Sequence, residues 1–130
     1  MKNRAVVGSI ALLVLMQLGC SATVPADKVY GSYVASYPFG TETITLNKDG
    51  SFVQLAAVEH RKSASAMGRW EFDAKESRVS LYGAMVVIDP YDRLAEDWSV
   101  PVSGIVSFDV ERHWAKIQMN SAAKFPYFKT

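Results

Sequence analysis

Cysteine is nearly absent. Cys20 is the only one in 130 residues, which excludes an intramolecular disulfide and any multi-cysteine metal site. Histidine is almost as scarce, and His60 and His113 fall in no metal-ligand or triad spacing. Clustered positive charge is missing too. The 14 Lys and Arg are scattered among 13 Asp and Glu, whereas a nucleic-acid binder concentrates its cations in one patch. No segment holds a 3.6-residue apolar period for more than two turns. There is no G-x-S-x-G, no phosphate-cradling loop and no H-E-x-x-H. Helical bundles, nucleic-acid binding and the familiar hydrolase constellations are thereby disfavoured, and neither a cofactor nor a metal is expected. A hydrolase would need a nucleophile and base brought together only by folding.

What is present begins with a leader. Met1 to Gly19 carries Lys2 and Arg4, then an apolar run from Ala5 to Leu18, then Gly19-Cys20, the order of a secretion signal. As a helix the run would span about 21 Å, short of the ~30 Å hydrocarbon core. Discounting Lys2 and Arg4 leaves twelve basic against thirteen acidic side chains. Gly19-Cys20 after such a run resembles the lipobox of bacterial lipoproteins, with Gln17 three residues before the cysteine and Leu18 beside it. The resemblance implies that Cys20 becomes the first mature residue, carries acyl chains such as palmitate, and tethers the protein to a membrane. Ser21 after the cysteine implies the outer membrane of a double-membrane cell envelope. The alternative is cleavage after Ala22 or Ala26, which yields a soluble periplasmic or secreted protein. The expected organisation is a signal peptide over 1–19, a tether over 20–28 and one folded domain over 29–130, a length that suits a single core.

The folded part reads as strands separated by turns. Thr41 to Val53 is a hairpin: Thr, Ile, Phe and Val suit a pleated surface, and Asp49-Gly50 supplies the positive φ of a tight loop. A three-residue loop, Lys48-Asp49-Gly50, pairs Leu46 with Phe52 and Ile44 with Gln54. That places a polar Gln54 on an apolar face, and a register-shifting bulge is the preferred escape. Val29 to Tyr37 precedes the hairpin as a first strand. Gly68 to Asp73 alternates cleanly, with Gly68, Trp70 and Phe72 on one face. Arg78 to Tyr82 follows, extended by the apolar run Ala84 to Ile88. Val102 to Glu111 and Trp114 to Met119 complete the strands, before an aromatic tail over Ala122 to Thr130. Seven or eight short strands with turns every ten residues or so define an all-β meander, closing into a barrel or, as the alternative, a β-sandwich.

Gly31-x-Tyr33, Pro38-Phe39-Gly40-Thr41-Glu42-Thr43, Leu46-Asn47-Lys48-Asp49-Gly50-Ser51-Phe52 and Gly68-x-Trp70-Glu71 together resemble small bacterial lipoproteins with a lipocalin-like, META-like barrel. The resemblance implies a barrel of about eight strands and carries over no catalytic residue.

One stretch stands out as a candidate site. Asp89-Pro90-Tyr91-Asp92-Arg93-Leu94-Ala95-Glu96-Asp97-Trp98 holds four carboxylates without the order of an EF-hand. Tyr91, Arg93 and Trp98 are residue types that dominate interface hot spots, and Trp98 could equally plug a barrel end. Gln54 joins them as a ligand-lining candidate if the interior is hollow, along with Tyr33, Phe52, Trp70, Phe72 and Phe108. The expected function is a non-enzymatic, membrane-anchored binding domain for a protein or a small apolar ligand. The alternative is an inhibitor or immunity protein that blocks a periplasmic or secreted enzyme through the Asp89 to Trp98 loop.

Overall fold

The computed structural model describes residues 24–130. Eight antiparallel strands follow one another around a closed barrel: β1 Gly31–Tyr37, β2 Gly40–Leu46, β3 Ser51–Val58, β4 Ala64–Asp73, β5 Arg78–Tyr82, β6 Ile105–His113, β7 Lys116–Met119 and β8 Tyr127–Lys129. Closure comes from β8, which pairs Tyr33 with Lys129 and Val34 with Phe128. The barrel, not the sandwich, is the architecture, and the aromatic tail supplies its last strand.

Alternation makes the interior. Tyr33, Ala35, Ile44, Leu46, Phe52, Ala56, Val79, Leu81, Val110 and Met119 all point inward and are buried, as expected when every second residue of a strand faces the core. The β2–β3 ladder runs without interruption from Leu46↔Phe52 through Ile44↔Gln54 to Gly40↔Val58. No bulge intervenes, so the bulge expected from the sequence is corrected. Asn47 N–H donates to Ser51 O (2.9 Å) and Gly50 N–H to Asn47 O (3.1 Å), with Gly50 at φ +90°. This three-residue loop locks the register, and Gln54 faces inward because the turn geometry demands it.

Gly68 is required by close approach. It sits opposite Phe52, and a Cβ there would lie 2.0 Å from Tyr82 O and 2.8 Å from the Phe52 ring. The ring crosses bare backbone.

The two barrel ends differ. At the end holding Gly31, the turns are short: 47–50, 74–77 and 114–115. A single 3-10 turn, Ala26–Lys28, lies there with Val24 and Val29 buried as stoppers, and Tyr33 Oη donates to Val29 O. Val24, inside the segment 20–28 read as a tether, is thus part of the packed body. At the opposite end the chain leaves β5 at Gly83 (φ +92°) and does not return until β6. The run Ala84 to Ile88 does not extend a strand. It makes only the bridges Met85↔Pro101 and Ile88↔Leu94, and buries Ala84, Met85 and Val87 across the barrel mouth.

Candidate functional site

The far mouth is organised around a buried carboxyl. Glu42 follows the inward phase of β2, two residues before Ile44, and is 1% exposed. Four hydrogen bonds converge on it. Tyr37 Oη donates to Oε1 (2.7 Å), Tyr127 Oη approaches both oxygens at 2.8 Å, and Gln54 Nε2 donates to Oε2 (2.8 Å). Burial pushes the Glu42 carboxyl up, against the opposing pull of these donors. Burial and the neighbouring carboxyl push the Tyr37 and Tyr127 phenols well above their usual range. The proton of this cluster therefore resides on the phenols first and the carboxyl second.

Gln54 ties the cluster to the long connection. Its Nε2 donates also to Met85 O (2.9 Å), and its Oε1 accepts from Met85 N–H (2.7 Å). An amide is suited to this because it donates and accepts at once. Gln54 is thus a staple between β3 and residues 84–88, and every fully buried side-chain polar atom among the described residues is partnered. Beside it lies a pocket of about 90 Å³ whose lining includes Tyr37, Val86, Ile88, Phe108, Phe125 and Tyr127. That is room for about three water molecules, far below the 300–1,000 Å³ typical of drug-sized ligands. The rest of the interior is filled: Tyr33 and Phe52 are completely buried in the core, with Trp70 and Phe72 packed against it.

The connection itself is ordered. Asp89 N–H donates to Arg93 O, Ala95 N–H to Val87 O and Val102 N–H to Ala84 O, at 2.8–2.9 Å. Asp89 Oδ1 accepts from the backbone N–H of Tyr91 and of Arg93, and its Oδ2 lies 3.4 Å from the Arg93 guanidinium. The two N–H bonds and this guanidinium hold the Asp89 carboxyl below its ordinary value. Arg93 in turn lies over the Tyr91 ring, 5.2 Å from its centroid. Tyr91 is 77% exposed, whereas Trp98 is 7% exposed and belongs to the core. The fold therefore brings Tyr91 and Arg93 together on the surface, sends Trp98 and Gln54 inside, and adds an open groove between Ile88 and Val100. Cys20 lies outside the described residues.

Glu42, Tyr37 and Tyr127 escaped the sequence reading. The available signal was an acid in phase with Ile44 and Leu46, but its partners come from β1 and β8. A second cluster, Ser121, Glu111 and His113, has the residue types of a hydrolytic triad. Ser121 Oγ donates to Glu111 Oε2 (2.8 Å), and His113 Nε2 lies 3.0 Å from the same oxygen. The acid stands between the other two, so the imidazole is not placed to take the serine proton. Among the described residues no group of three His, Cys, Asp or Glu is close enough to hold a metal. Comparison of the chain with protein-family models, with curated proteins and with solved structures finds no match.

Proposed function

We propose that the chain is a non-enzymatic lipoprotein of the bacterial envelope, held at a membrane through Cys20, which binds a protein through the platform formed by residues 83–104. One observation carries this reading. The longest connection in the barrel is an internally hydrogen-bonded segment that displays a stacked Tyr91–Arg93 pair, while the pocket beneath it holds about 90 Å³. A preorganised aromatic-cation pair meets a partner at low entropic cost, and Asp89, Asp92, Glu96 and Asp97 suit a partner with a basic rim. The small-ligand alternative is weakened by the filled core. An inhibitor or immunity protein would use the same platform, with Tyr91 rather than buried Trp98 entering the target.

Site-specific photo-crosslinking in cells tests this. A crosslinking residue at position 91 is expected to trap one discrete protein partner, lost on Arg93→Ala, while the same residue at Met67 traps none. Equal labelling from both positions, or none from 91, would overturn the proposal. Mass spectrometry of the native N-terminus tests the anchor separately.

A further inference from the structure

The end of the barrel opposite the platform carries an unusual recess. Its volume is about 570 Å³, and its side chains are Lys28, Arg112, Lys116 and Lys129 with Ala115, Ile117 and Thr130. No carboxylate side chain lines it. None of the four cations has an ion-pair partner among the described residues, where the salt bridges are Arg69–Glu71, Arg78–Asp109, Arg93–Asp89 and His113–Glu111. Lys129 Nζ donates instead to Lys28 O (2.6 Å), and partial burial lowers its affinity for a proton. Of the acids at this end, Asp49 binds Ser51, Asp73 accepts from the Lys75 and Glu76 amides, and Glu111 holds His113 and Ser121, while Glu76 is exposed. Asp27, in the 3-10 turn itself, is exposed.

Next to this recess, at the tip of the β6–β7 hairpin, Trp114 is 98% exposed at φ +60°. A fully exposed indole beside four cations without carboxylate partners is the composition of a membrane interface. There, amphipathic rings sit at headgroup depth and Lys and Arg meet phosphates. Position supplies the second argument. Val24 is buried at this same end, and the four peptide steps from Cys20 to Val24 reach at most about 14 Å. A lipid on Cys20 would hold the recess close to the bilayer, near enough for headgroup charge to act through one Debye length of ~10 Å.

We infer that the recess and Trp114 form a seat for anionic phospholipid in the anchoring bilayer, fixing the barrel upright with its platform facing away. The inference builds on the lipid-anchor reading but is testable without it, because the barrel is complete within residues 24–130 and the unacylated chain from Ser21 contains all of it. This chain is expected to co-sediment with phosphatidylglycerol vesicles and not with phosphatidylcholine vesicles, with binding that falls as salt rises. The double variant Arg112→Glu/Lys116→Glu should weaken binding by about twentyfold or more, at roughly fivefold per cation. The far-end control Arg61→Glu/Lys62→Glu, with the same net charge, should bind like the parent. Trp114→Phe should remove the blue shift of tryptophan emission on vesicle binding while the circular dichroism spectrum stays that of the parent. Equal binding to both lipids, equal losses in the two charge variants, or displacement by millimolar inorganic phosphate would overturn the seat. The last result would make the recess a site for a free anion. An unacylated native N-terminus would remove the anchor and leave the vesicle result standing.

Discussion

The two ends of the barrel are closed by different physics. The end at Gly31 is stopped by apolar side chains, Val24 and Val29, and its turns are built from local chemistry such as the Asp73 side chain accepting from the amides of Lys75 and Glu76. At the opposite end the lid is a long connection held by Glu42, Gln54, Tyr37 and Tyr127, which come from four strands and bond across as many as 85 positions in sequence. An apolar stopper tolerates truncation in proportion to the area lost. A buried polar network fails as a unit, because each donor left behind keeps its full desolvation cost. The polar end should therefore be the more fragile.

The largest effect expected is at Glu42. Glu42→Ala strands two phenols and an amide in the interior and opens a cavity, costing about 4 kcal/mol. Urea unfolding measures the loss, and hydrogen exchange should quicken at the Met85 amide. Gly68→Ala comes next at about 3 kcal/mol, because the new methyl overlaps Tyr82 O and the Phe52 ring. It lies in the wall and serves as a reference for strain at neither end. Val29→Ala at the stopper should cost about 2 kcal/mol. A Val29 loss exceeding that at Glu42 would break the comparison.

The same contrast sets the pH response. The folded Glu42 carboxyl is raised above its ordinary value of 4.5, so between that value and the raised one the folded state holds a proton that the unfolded state has released. Stability contributed by this group is complete below 4.5 and declines as pH rises through the folded value. Glu42→Gln, which cannot titrate, should flatten this decline in a series of thermal melts. A parent melting temperature that rises through the same window, with no difference from the variant, would show that Glu42 stays ionised. The smallest effect is at the platform: Tyr91→Ala should change stability by less than about 0.5 kcal/mol while abolishing co-purification of the partner that crosslinking identifies.

Legibility in the sequence followed the range of the interactions. The β2–β3 hairpin could be paired residue by residue, since Asp49-Gly50 and a three-residue loop leave one register. The inward face of β4 was equally plain from Gly68, Trp70 and Phe72. The bulge was a misreading with a clear source: a glutamine facing inward looks like an error until an acid on the next strand and a backbone amide from a distant connection make it a staple. Of the candidate residues, Tyr91 and Arg93 lie exposed on the surface, as their loop position suggested. Trp98 was ambiguous, because exposure is decided by what the loop folds over.

Chain chemistry alone thus determined the turns, the strand faces and the all-β class, because these depend on neighbours a few residues apart and on the period of two. Only the tertiary structure decided that Tyr127 closes the barrel and meets Glu42, that residues 84–88 leave the sheet to cover a mouth, and that four scattered cations share one recess beside Trp114. Each of these joins residues whose separation in sequence carries no energy. They acquire one only when closure brings β8 back to β1.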